Sequence, residues 1–275
     1  MIETSTTDLT VEADGMRMAV RTVRRAGPVR GTILIVNGVL SPFTALRWTI
    51  KSLPEFDLIL FDFPPIGLSR PLNPRIGRLT EEQEAELVLA LIARFEPEYL
   101  ISISWGGASA LTALAAQPKS IRRAIIASYA LGMSEHLRGL ASGLLELIDG
   151  GRRDEAATHA SNMLAELLPE RLRRVHKDYY LGLDEVQVQH VVDHARYCLS
   201  ASTDRIEARL KAIRIPVLFA NGAADRLTPP SAVDGIERHL PQAEFAVIPD
   251  AGHFLAMESK DAAARVRAMV EGFFA

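Results

Sequence analysis

Hydrophobic and polar positions are arranged in two different ways along this chain. Near the N-terminus the period is two: Met16, Met18 and Val20 alternate with Arg17, Ala19 and Arg21. Asp8–Ala13 and Met16–Val23 flank Asp14-Gly15, and that dipeptide between the two runs predicts a β-hairpin. Further on, short runs are apolar at successive positions. Thr32–Val36 is continuously apolar and β-branched, and Leu58–Phe61, Tyr99–Ile103, Arg123–Ala127, Val217–Ala220 and Phe245–Ile248 read the same way. Such runs predict strands covered on both faces.

Helical spacing fills the intervals. Thr80-Glu-Glu-Gln83 has the form of a capping box and opens a predicted helix running to about Phe95. Pro229-Pro230 is expected to start another, with Val233, Ile236 and Leu240 inward. Ala262, Val266, Met269, Val270 and Phe273 mark a last helix. A hairpin followed by alternating strands and helices predicts an α/β fold with a mostly parallel central sheet and helices on both faces. Between Leu131 and Leu210 the alternation stops. Leu137, Leu140, Leu144 and Ile148 form one helical stripe, and no strand pattern interrupts the rest. The expectation is a core of residues 1–130 and 211–275, with 131–210 inserted between two strands as a helical lid.

Composition narrows the class. With 275 residues, 48% hydrophobic and 24% charged, the chain reads as globular. A net charge of −3 argues against general nucleic-acid binding. The single cysteine, Cys198, permits no intrachain disulfide. Met1–Gly15 lacks the apolar segment of a signal peptide, and runs such as Leu87–Ala93 are too short to cross a bilayer. The expectation is a soluble, cytoplasmic protein without integral membrane association.

The candidate chemistry lies just after the predicted strands. Ser102-x-Ser104-x-Gly106 follows Tyr99–Ile103 and precedes a helix over Ala108–Ala116, a variant of the G-x-S-x-G elbow. Small flanking residues suit a tight turn that lifts a serine hydroxyl above the sheet. Asp225 follows Val217–Ala220, and His253, after Asp250-Ala-Gly252, follows the next strand. Each alone has a bland reading: an ordinary turn, a capping carboxylate, a structural histidine. Together, in the order Ser, acid, His, they form a candidate nucleophile, orienting acid and general base. Asn37-Gly38-Val39 follows the first central strand. The backbone N–H groups of Val39 and Trp105 are candidate oxyanion donors, while a simple turn at Asn37-Gly38 is the competing reading. The mechanism needs no cofactor. One cysteine and scattered histidines match no metal-ligand spacing.

Taken together, Val36-Asn-Gly38, Leu60-Phe-Asp-Phe-Pro64, Ser102–Ser109, Ala220-Asn-Gly222 and Ala251-Gly-His-Phe-Leu-Ala-Met-Glu-Ser-Lys260 resemble the bacterial 3-hydroxyacyl acyltransferases of the α/β-hydrolase fold. One branch makes 3-(3-hydroxyalkanoyloxy)alkanoic acids, the lipid half of rhamnolipids. The other is the 3-hydroxyacyl-carrier-protein:CoA transacylases, also described as thioesterases. The resemblance implies a medium-chain 3-hydroxyacyl thioester donor on acyl carrier protein or CoA. It implies Ser104 as acyl acceptor, with Asp225 and His253 in the matching positions. The acyl-enzyme would then pass to a second 3-hydroxyacyl unit, or to water in a thioesterase. A His-x-x-x-x-Asp motif associated with the transacylase branch is missing, since none of the seven histidines has Asp five places on. Arg226-Leu-Thr-Pro-Pro230 also looks more like a generic hydrolase.

Asn37, Gly38, Phe43, Leu137, Leu140, Leu144, Tyr179 and Tyr180 are candidate substrate contacts, and Trp48, like Phe43 after the Asn37-Gly38 turn, reads similarly. Packing of the insertion on the core is the alternative for each. Arg171, Arg173, Arg174 and Lys177, with Arg152 and Arg153 nearby, are a candidate docking patch for an acidic carrier protein, or else a solvated helix face. The resemblance makes acyl transfer to a second 3-hydroxyacyl unit, as in the synthase branch, the leading expectation. A 3-hydroxyacyl thioesterase or transacylase, a plain carboxylesterase and a non-catalytic binding protein of the same fold are the competing functions.

Overall fold

A computed structural model describes residues 4–200 and 204–275. The chain runs through β1 (Thr4–Ala13), β2 (Met16–Arg25), β3 (Thr32–Val36), α1 (Arg47–Ser52), β4 (Asp57–Phe61), α2 (Glu81–Phe95), β5 (Tyr99–Ile103), α3 (Gly106–Ala115) and β6 (Arg123–Ala127). Five helices follow: α4 (Glu135–Asp149), α5 (Arg153–Leu164), α6 (Glu170–Leu181), α7 (Glu185–Ser200) and α8 (Asp204–Leu210). Then come β7 (Val217–Gly222), β8 (Ala243–Ile248) and α9 (Lys260–Phe273). The strands form one sheet in the order β1-β2-β4-β3-β5-β6-β7-β8. The first two pairings are antiparallel and the rest parallel.

The hairpin forms where the period-two pattern placed it. Asp14 and Gly15 both have positive φ, 50° and 68°, as a two-residue hairpin turn matched to strand twist requires. In the central strands alternate residues divide between two cores. Leu34 and Val36 face a cluster that includes Leu87, Leu91 and Leu111 of α2 and α3, while Ile33 and Ile35 face Phe56, Val270 and Phe274. The capping box of α2 is complete: Thr80 accepts from the Gln83 N–H, and Gln83 accepts from the Thr80 N–H.

Two expectations are corrected. Phe245–Ile248 belongs to β8, but that strand is not covered on both faces. It borders only β7, and Phe245 and Val247 are 46% and 51% exposed. The helix expected from Pro229-Pro230 is only a pair of 3₁₀ turns, Pro230–Val233 and Ile236–Arg238. Asp234 is extended and Gly235 has φ 90°, so the helical path is broken between them. Among the described residues no helix is long and apolar enough to cross a membrane.

Candidate active site

The parallel strands deliver their following turns to one edge of the sheet, where sites of such sheets lie. Ser104 is the first residue past β5 and has φ 53°. A serine rarely adopts this left-handed conformation, which costs on the order of 1–3 kcal/mol. Two hydrogen bonds hold it: the Ser104 N–H donates to the Ala127 carbonyl (2.8 Å), and its own carbonyl accepts from the Gly107 N–H (2.9 Å). Gly106 is required by close approach, since a Cβ there would stand 2.4 Å from the Asn37 carbonyl oxygen. Ser102, in place of the usual elbow glycine, is fully buried within the strand.

His253 Nε2 lies 3.1 Å from Ser104 Oγ, and His253 Nδ1 lies 2.9 Å from Asp225 Oδ2. Asp225 and His253 are only 3% and 8% exposed. Gly222, just before the aspartate turn, packs where a Cβ would meet the Ala251 carbonyl at 2.2 Å, so the β7 and β8 turns lie directly against each other. Asp225 accepts three further hydrogen bonds, from the Leu227 N–H (2.9 Å), the Thr228 N–H (3.0 Å) and the Thr228 hydroxyl (2.5 Å). Burial raises its carboxyl, but the His253 bond and charge and the Thr228 donors outweigh burial and leave it below the ordinary value. The loop carrying His253 is clamped from below. Glu258 accepts from the Gly252 and Phe254 N–H groups (2.5 and 2.9 Å), and Ser128 donates to the His253 carbonyl (2.8 Å).

Facing Ser104, the turn after β3 places Leu40 at φ 53°, with the Ser41 N–H donating to the Gly38 carbonyl. Val39 and Trp105 both line the same cavity as Ser104 and His253. Neither of their N–H groups takes a partner among the described residues. The Trp105 indole donates to Glu84 (3.0 Å), which also accepts from Ser109 Oγ. Burial pushes the Glu84 carboxyl up to about 7, against those hydrogen bonds.

The cavity has a volume of about 240 Å³. Its walls are largely apolar: the insertion supplies Leu137, Leu140, Leu144, Tyr180 and Val191, and the core supplies Leu40, Ala108 and Tyr129. His194 and Cys198 of α7 also border it, with His194 Nε2 3.4 Å from the Cys198 sulfur. Burial, with His190 and Arg78 adding, lowers His194 to about 3. Burial also raises the Cys198 thiol to about 11, so these groups are a neutral imidazole and a thiol.

Several candidate substrate contacts lie elsewhere. Phe43 is 2% exposed and packs in the core on the opposite face of the sheet, under the Arg21 guanidinium. The Asp62 carboxylate accepts from its N–H (2.6 Å), which fixes that segment against β4. Tyr179 packs against the core without lining the cavity, whereas its neighbour Tyr180 lines it. Asn37 and Gly38 do not line it either. Asn37 holds the turn by donating to the Ser41 carbonyl (3.1 Å). The side chain of Trp48 falls outside the described residues. In the basic group, Arg174 pairs with Glu170 and Lys177 with Asp154, while Arg171 and Arg173 are exposed on α6. Arg152 and Arg153 pair with Glu146 and Glu185. Among the described residues no group of three or more His, Cys, Asp or Glu side chains is arranged to hold a metal ion.

Thr228, Glu258, Ser128 and Glu84 were not singled out from the sequence. Of these, Glu84 left a trace: it interrupts an apolar helix face made by Ala85, Val88 and Leu91.

The sheet order, the strained serine turn and the Ser–His–Asp array define a class, and the family comparison agrees. Residues 32–260 match the alpha/beta hydrolase fold, and the chain belongs to that family. More narrowly, the chain is 32% identical over 250 residues to an (R)-3-hydroxydecanoyl-ACP:CoA transacylase of Pseudomonas putida, covering 90% of this chain and 85% of that protein. A protein of the same name from Pseudomonas aeruginosa is 32% identical, with coverage of 84% and 77%. Among solved structures, an esterase from Exiguobacterium antarcticum superposes with a TM-score of 0.79 at 15% identity, covering 98% of this chain and 99% of that one. The enol-lactonase of Burkholderia xenovorans superposes at 0.76 with 17% identity, covering 96% and 99%.

Proposed function

We propose that this protein is a serine-dependent acyltransferase acting on 3-hydroxyacyl thioesters. One observation carries the reading: the hydrogen-bonded series Ser104 Oγ, His253, Asp225 opens onto a largely apolar cavity. The names of the 32% identical relatives supply the substrate class.

In this mechanism His253 takes the Ser104 proton as Oγ attacks the thioester carbonyl. The Val39 and Trp105 N–H groups stabilise the oxyanion. Asp225 fixes the His253 tautomer and stabilises the imidazolium. The C–S bond breaks, His253 protonates the departing sulfur, and the acyl group stays on Ser104 as an ester. In the second half, His253 deprotonates the CoA thiol, which attacks the ester carbonyl and regenerates Ser104. Residues 131–210 act as a lid in this reading, excluding water so that the intended acceptor competes. A cytoplasmic setting goes with it, in keeping with a single unpaired cysteine.

A second acceptor is favoured by one observation. The His-x-x-x-x-Asp motif associated with transacylases is missing, so the acceptor in the alternative is the 3-hydroxyl of another 3-hydroxyacyl unit, giving a 3-acyloxy acid. Exposed Arg171 and Arg173 on α6, with Arg174 and Lys177 beside them, are the proposed contact for an acidic carrier protein.

The test is product analysis after incubating 3-hydroxydecanoyl carrier protein with and without CoA. The expected product is 3-hydroxydecanoyl-CoA, formed only when CoA is present and only with Ser104 intact. A 3-acyloxy acid selects the alternative acceptor. Free 3-hydroxy acid at the same rate in both mixtures contradicts acyl transfer.

A further inference from the structure

A second, smaller void of about 20 Å³ lies inside the helical insertion, walled by all four of α4 to α7. Leu144, Tyr180 and Val191 line both this void and the main cavity. None of Ser104, Asp225 and His253 borders the smaller one. Behind the shared residues the walls include two small side chains, Ala156 and Ala157, both buried. On another wall is Arg153, whose guanidinium donates to the Leu183 carbonyl and pairs with Glu185 at 3.0 Å. The void is thus mostly apolar, has an anchored arginine on one wall, and is large enough for about one water molecule. A close-packed interior normally fills such space.

We propose that Leu144, Tyr180 and Val191 form a partition that sets the longest acyl chain the enzyme accepts, and that the void behind it is a latent extension of the acyl site. The inference rests on the reading that the chain esterified to Ser104 lies in the main cavity. Leu144 is the removable element. It is 7% exposed and projects from α4 on the same stripe as the cavity-lining Leu137 and Leu140. Cutting its isobutyl group to a methyl joins the two spaces without touching Ser104, Asp225 or His253. The joined space admits about two more methylene groups, and each buried methylene is worth roughly fourfold in selectivity.

The experiment compares wild type and Leu144→Ala across a series of straight-chain p-nitrophenyl esters and 3-hydroxyacyl-CoA thioesters of increasing length. The readouts are kcat/KM and the mass of the acyl-enzyme. The expected result is a shift of the optimum toward chains about two carbons longer, with on the order of tenfold gain in the ratio of long to short substrates. Adding Ala157→Leu to Leu144→Ala refills the void and returns the wild-type profile. Leu144→Val, a smaller change, gives a weaker shift in the same direction and serves if Leu144→Ala melts early. An unchanged length profile in folded variants that still acylate Ser104 overturns the partition while leaving the proposed function standing. Wild type that never acylates Ser104 overturns both.

Discussion

The turns at the C-terminal edge of the sheet and the helices of the insertion face the same cavity, but different forces hold them. On the sheet side every group is fixed by short polar contacts and close backbone approach. Ser104 sits at a strained φ between two backbone hydrogen bonds, Asp225 accepts four hydrogen bonds, and Gly106 and Gly222 leave no room for a Cβ. On the insertion side the lining is largely apolar, with Leu137, Leu140, Leu144 and Val191, and Tyr180 reaches it from α6, a helix with no fully buried residue. Directional bonds fix reacting atoms to within fractions of an ångström, whereas dispersion and hydrophobic burial fix a volume. In the proposed mechanism the sheet supplies the chemistry and the helices the choice of substrate.

That division can be broken or sharpened by substitution on either side. The largest effect is expected at Ser104→Ala, which removes the nucleophile and lowers kcat on thioesters by on the order of 10⁴-fold or more. Asp225→Asn keeps the shape but reverses the hydrogen-bond demand on His253 Nδ1, and a loss approaching 10⁴-fold in kcat is expected. A loss of only a few fold in steady-state kinetics would show that another group orients His253.

A third prediction concerns stability. Glu84 is buried and its carboxyl is pushed up to about 7, so the folded protein binds this proton more tightly than the unfolded chain does. Stability from this group is therefore full below about pH 4.5 and declines as pH rises towards about 7. Glu84→Gln should remove that decline, worth on the order of 3 kcal/mol, in denaturant titrations at pH 5 and pH 7.5. An identical pH dependence in the variant would contradict the assignment.

Smaller effects follow. Thr228→Val removes one donor to Asp225, so the Asp225 carboxyl rises and its orientation against His253 loosens, lowering kcat/KM. The loss is about five- to tenfold near neutrality. The least effect is expected on the insertion surface. Charge reversal at Arg173 and Arg174 should slow turnover of a carrier-protein substrate several fold at low salt and spare small esters. Equal slowing of both would remove the docking role.

The same contrast explains what was legible in the sequence. Thr32–Val36 and Tyr99–Ile103 are legible because a strand buried on both faces carries apolar residues at successive positions, with few polar ones among them. Ser104 and Asp225 were visible because each follows such a strand, and His253 because it follows the next predicted strand and completes the order Ser, acid, His. Phe245–Ile248 carries the same letters, yet its position at the sheet edge depends on strand order, which no local pattern encodes. Phe43 follows the Asn37-Gly38 turn, but the Asp62 carboxylate ties its backbone beside β4 and its ring enters the opposite core. Thr228 and Glu258 support Asp225 and the His253 loop through hydrogen bonds set by loop geometry, and isolated polar residues in loops give no periodic signal. In the insertion, Leu137, Leu140 and Leu144 were found as a helical stripe, and Tyr180 was separated from Tyr179 only by the side chains' actual positions.

The most direct test of the account is intact-mass measurement of the protein mixed with 3-hydroxydecanoyl carrier protein and no acceptor, alongside Ser104→Ala. The account predicts a mass increase equal to one 3-hydroxydecanoyl group on the wild type, located on Ser104 and discharged by added CoA, with no increase on the variant. An adduct that persists in Ser104→Ala, or its absence from wild-type protein that consumes the thioester, would contradict transfer through this serine.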